Sequence, residues 1–190
     1  ALESEPGSWQ AAMLVGISTY IERSLAQDRR LYTEAAAWEK PLGRSVERAS
    51  GHPEPRRLLA TAYLETWLGL SDEKKTIARD LLRRVFEDDL RAFEALLPAW
   101  LALRLDREET FSVIPDQAAA WQILERGYAR EKRWSSYLAA HRRYLDALEL
   151  QLEARRLEAE QRLRFGDFFE ARSRFLQVIA GAPPSGRFAP

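Results

Sequence analysis

No stretch of this 190-residue chain alternates apolar and polar residues with period two, the pattern a half-buried strand requires. β-branched residues are sparse, and Ala, Leu, Glu and Arg predominate, all of them good helix formers. Gly and Pro recur at intervals that cut the chain into helix-sized pieces. The fold class is therefore all-α. The length suffices for one domain, or one short repeat array, with a sizeable core.

The breakers set the expected elements. Ser8 caps a helix reaching about Gln27, with Met13, Ile17, Tyr20, Ile21 and Leu25 on one stripe. A second covers 28–39, is interrupted by Pro41 and Gly43, and continues briefly over 46–49. The run Gly51-His52-Pro53-Glu54-Pro55 is a clear break. Further helices are expected over 55–68, closed by Gly69, and from a Ser71 cap to Asp88 and Asp89. Another covers 90–105 with a kink at Pro98, and a short turn covers 108–113. The last four cover 117–130, 133–149, 151–165 and 167–180, before a frayed Gly/Pro tail. Eight to ten helices with short connections make a stack of antiparallel pairs. The organisation expected is a helical hairpin over 1–52, a divergent segment over 53–115, two repeats over 116–183 and a flexible tail over 184–190.

Charge excludes several functions. The 29 cationic and 29 acidic residues cancel, whereas nucleic-acid and membrane-surface binders carry a positive excess. Residues 121–190 hold 13 cations and 9 acids, a local net of +4. There is no cysteine, which removes disulfides and thiolate chemistry. The two histidines, His52 and His141, lack the spacing of a metal motif. His52 reads as an exposed loop residue and His141 as a core or boundary residue. No glycine-rich phosphate loop or nucleophile elbow occurs. Asp88-Asp89 and Glu108-Glu109 are neighbours in sequence and point apart on a helix, so they read as solvated surface. The expectation is a non-enzyme with no cofactor or metal. The uncharged stretch 6–21 is too short and too polar to span a bilayer, so no direct membrane insertion is expected.

Trp134 and Phe168 lie 34 residues apart, and each opens a helix after a tight turn. Trp134, Tyr137, His141 and Tyr144 match Phe168, Ala171, Phe175 and Val178, both sets at i, i+3, i+7 and i+10 on one helix face. At these residues the chain resembles the tetratricopeptide repeat family. Gly166, Phe168, Ala171, Phe175, Val178 and Pro183 fall at its Gly, aromatic, small, aromatic, small and Pro positions. Trp121, Leu124 and Tyr128 match its first helix, while Arg155, Glu158 and Arg162 depart from it. The resemblance covers 117–183.

The resemblance implies a right-handed solenoid of helical hairpins acting as a non-catalytic protein-interaction scaffold or adaptor. The start at Ala1 rather than Met adds the expectation of the soluble part of a bacterial envelope-associated assembly, cytoplasmic or periplasmic, tethered through a segment outside this chain. The family's concave surface would place Gln122, Arg126, Arg130, Arg156, Glu160 and Arg164 together, facing a protein or peptide partner of acidic character. The alternatives are an Arg-rich nucleic-acid binder and a regulatory subunit of an enzyme complex. No Gly or Pro lies between Ser135 and Phe165. A break at 149–151 is nevertheless expected, because the repeat needs the chain to reverse. A single long helix would also need a heptad seam, and Arg155 and Arg162 land on the one that Leu138, Leu145, Leu148 and Leu152 begin.

Overall fold

The computed structural model describes residues 8–26, 37–49 and 51–183. Residues 28–36 of the expected helix over 28–39, and the tail over 184–190, lie outside the described residues. All regular structure among the described residues is helical, with no strand, and within each unit neighbouring helices pack on one another. The chain divides into two compact units, 1–115 and 116–190.

The first unit contains α1 (Trp9–Leu25), α2 (Glu39–Arg48), α3 (Pro53–Glu65), a 3-10 turn (Trp67–Gly69), α4 (Asp72–Asp88), α5 (Leu90–Ala102) and α6 (Arg107–Ser112). Short polar side chains start four of these helices. Ser8, Ser71, Asp89 and Asp106 accept from the backbone N–H of Ala11, Lys74, Arg91 and Glu109, satisfying donors that have no partner inside the helix. Asp89 is thus a cap rather than solvated surface. Its neighbour Asp88 is exposed, as expected, and pairs with Arg56 at 2.6 Å.

Several boundaries differ from those the breakers suggest. Pro41 and Gly43 do not interrupt α2. Pro41 falls in the first turn, where a missing N–H costs nothing. Gly51, at φ +95°, makes the turn that lets α3 begin at Pro53, two residues earlier than expected. The chain past Glu65 tightens into the 3-10 turn instead of continuing as α-helix to Leu68. Pro98 sits inside α5, which runs on to Ala102.

The apolar stripe of α1 is also rotated. Ile21 and Leu25 are 49 % and 80 % exposed. The packed face centres on Gly16, the buried residue of α1. A Cβ there would lie 2.6 Å from Leu42 Cγ and 3.1 Å from the Leu42 backbone nitrogen, so glycine sets how closely α1 approaches α2. The core of the unit is rich in large aromatics. Trp38, Trp67, Trp100, Phe86 and Phe93 are all buried, with Trp67 and Trp100 edge to face at 4.9 Å. The Trp100 indole N–H donates to the Thr110 carbonyl, tying α6 to α5.

The second unit contains α7 (Ala118–Arg130), α8 (Trp134–Arg164) and α9 (Phe168–Gly181). Here the main expectation fails. α8 is one continuous helix of 31 residues, about 46 Å long at ~1.5 Å per residue, and no break occurs at 149–151. The reason is that α8 has two partners in succession. α7 folds back along its first half, where Ala140 is buried and Glu125 meets His141. α9 folds back along its second half, where Leu152 meets Gly181 and Glu158 bonds Arg174. Each half needs only enough apolar surface for its own partner. Leu152 and Ala159, seven residues apart, are buried, while Arg155 and Arg162 fall beside that line. α7 and α9 therefore lie one after the other along α8, not side by side as in a stack of hairpins.

The two turns do recur at 34 residues. At the first, Arg133 N–H donates to Tyr128 O with Lys132 at φ +58°. At the second, Asp167 N–H donates to Arg162 O with Gly166 at φ +81°. Both are the same C-terminal cap, with the left-handed residue at the equivalent position.

Two substitutions test this architecture. Gly16→Val adds atoms against the Leu42 backbone and should destabilise the protein by about 1–3 kcal/mol, despite removing glycine from a helix. A lowered Tm in thermal unfolding is the readout. Leu150 is 73 % exposed, so Leu150→Pro removes little packing. In a continuous helix it should still cost ~3 kcal/mol, and a chain that turned at this point would tolerate it.

Candidate functional site

The six residues expected on one concave surface fall into separated groups. Gln122, Arg126 and Arg130 follow one exposed line of α7, with the Arg126 guanidinium donating to Gln122 Oε1 at 3.3 Å. Arg156 and Glu160 pair with each other on α8. Glu153 also holds Arg156, at 2.6 Å, and this hydrogen bond raises the guanidinium pKa further above its ordinary value. Arg164 is exposed at the far end of α8. Because α8 does not turn back, Arg156 and Arg164 lie roughly 30 and 40 Å beyond the level of Arg126 along the axis, at ~1.5 Å per residue. The four arginines do not converge. The structure brings together Gln122 with Arg126 and Arg156 with Glu160, and no more.

What unit 116–190 does assemble is an aromatic row. Trp134, Tyr137, His141 and Tyr144 share one face of α8, the same four residues the 34-residue match picks out. Ring centroids are 6.1 Å apart from Trp134 to Tyr137, 6.1 Å from Tyr137 to His141 and 6.0 Å from His141 to Tyr144. His141 is a boundary residue whose Nδ1 donates to Glu125 Oε1 at 2.5 Å. Glu125 is buried on α7, and an unpaired buried carboxylate is costly, so this contact fixes α7 against α8. The pair is 16 residues apart across a turn, which is why a search for motifs along single helices misses it. Its visible trace is an acid among the apolar residues of α7.

A second polar cluster pins three helices of the first unit. Glu39 of α2 accepts from the Tyr63 hydroxyl of α3 at 2.7 Å and from Lys74 of α4 at 2.5 Å. Burial, and then the bond to Glu39, push the Tyr63 phenol well above its ordinary value. Trp38 packs edge to face on both Tyr20 and Tyr63. A groove of about 220 Å³ lies between Pro53, Arg57, Val85 and Ala92. Its charges include the Arg56–Asp88 pair, so they are partly neutralised from within. His52 is exposed, as expected, and stacks on Trp9 at 4.9 Å.

Among the described residues no cluster of His, Asp or Glu could hold a metal ion, and no helix is long and apolar enough to cross a membrane. No family model matches the chain, and no curated protein or solved structure matches it.

The Tyr63 site makes a prediction about alkaline stability. The native state holds the phenolic proton more tightly than the unfolded chain, whose tyrosines titrate near ~10. The stabilisation is complete below that pH and is lost as pH rises above it. Unfolding followed between pH 8 and 12 should show falling stability above about pH 10, and Tyr63→Phe should flatten that fall.

Proposed function

We propose that this chain is a non-catalytic protein-interaction module built from tetratricopeptide-like helical hairpins, and that 116–183 carries its docking surface. The observation that carries the reading is the distribution of exposed apolar side chains. Trp134, Leu138, Leu150, Leu157, Leu163, Phe165, Phe168, Phe169, Leu176 and Ile179 are all about half-exposed or more. That makes ten in the shorter unit, against six among the described residues of the longer one. Exposed apolar side chains concentrated in one unit supply the kind of surface a partner covers. The recurring turn at Lys132 and Gly166, and the burial of Ala171 at the expected small position, support the family likeness. The continuous α8 limits it, so the likeness is one of hairpin construction and not of a stacked solenoid.

Site-specific photo-cross-linking tests this. A benzophenone amino acid at Trp134, Phe168 or Leu176, expressed in the source cell, should give discrete protein adducts. The same probe at Gly43, where the side chain would meet open space, should give few. Failure of all three unit 116–190 positions to form adducts would overturn the reading.

A further inference from the structure

α9 is apolar on two sides. Its inner side, Ala171 and Val178, is buried against α8. Counting about 100° per residue, Phe168, Ile179, Leu176 and Phe169 span an arc of roughly 100° on another side. These four are 69 %, 53 %, 55 % and 83 % exposed. An arc of that width is what an amphipathic helix buries against a neighbour. A helix apolar on both sides reads as the middle layer of a packed structure, and among the described residues of its own unit α9 has a layer on one side only.

The charges on and beside the arc identify what completes it. Arg172 lies in the middle of the arc, and Arg164 lies beside Phe165 at the adjoining turn. Neither has a carboxylate partner in any ion pair among the described residues, whereas Arg162 is paired with Asp167 and Arg174 with Glu158 and Glu170. A second copy of this chain would present the same arc with its nearby acids already engaged. It would bury Arg172 without a partner, which is costly. We propose that the outer arc of α9 docks an amphipathic helix of a different protein, one whose apolar stripe is flanked by Asp or Glu placed to reach Arg172 and Arg164. The proposal rests on the interaction-module reading and specifies its partner class.

The test uses the full chain and defined probes. A fluorescein-labelled 18-residue helix with a Leu stripe flanked by Glu is titrated against the protein. Its Lys-flanked counterpart and vesicles of phosphatidylcholine, with or without phosphatidylglycerol, are titrated in parallel. The Glu peptide should bind at least 10-fold tighter than the Lys peptide. Leu176→Ser should weaken it at least 10-fold, and Arg172→Glu should invert the preference. Both positions are exposed, so unchanged circular dichroism and Tm are expected. Equal binding of the two peptides, or a preference indifferent to Arg172→Glu, would overturn the proposal. Binding to the anionic vesicles that is lost in Leu176→Ser would replace it with a lipid surface. Cross-links at Trp134 with none at Leu176 would refute this site while leaving the module reading intact.

Discussion

The fold of 116–190 depends on how α8 is covered. A helix of 31 residues gains most of its stability from tertiary packing of one face, not from propensity. α8 obtains that packing twice, from α7 and then from α9. The requirement for an uninterrupted apolar seam along a single partner therefore disappears. The stretch around Leu150, between the two partners, has only its local bonding to hold it. It contains no Gly or Pro, so the hydrogen-bond ladder passes through without a weak point.

The first unit solves a different problem. Its helices are short, and bulky aromatics fill the gaps between them. Such a core is permissive about orientation, because Trp and Phe have large contact areas and few polar atoms. Directional contacts supply the missing specificity. Glu39 ties α2, α3 and α4 at one point, and Gly16 fixes the separation of α1 and α2. Partly buried polar groups of this type are stabilising only when satisfied, and Glu39 uses both carboxylate oxygens.

Sequence legibility follows the range of the physics. Helical class and the caps at Ser8 and Ser71 are readable because capping is local, acting over three residues. The 34-residue recurrence is readable for the same reason, since each turn is closed by bonds within its own six residues. The continuity of α8 was hidden because it depends on where α9 lies, a fact absent from the residues around 150. Gly16 was equally silent, because its role requires knowing that Leu42 sits opposite. The Glu125–His141 pair needs both the turn and the registry of α7 on α8. The expected arginine surface inherited the error at 149–151, since only a reversal there would bring Arg156 and Arg164 back toward Arg126.

The arginines also show why charge density alone does not make a site. Two of those in α8 and α9 pair with glutamates three or four residues away on their own helix, Arg156 with Glu153 and Glu160, and Arg174 with Glu170. Such partly exposed pairs contribute little stability each. They do, however, occupy the guanidinium donors that a ligand would need. Recognition is then left to side chains with no internal partner. In 116–183 these are the exposed aromatics and leucines and the cations outside those pairs. The surface of α9 combines both kinds, and an apolar contact with one unsatisfied charge beside it confers more discrimination than either feature alone. A partner lacking the matching carboxylate would leave that charge buried and unpaired.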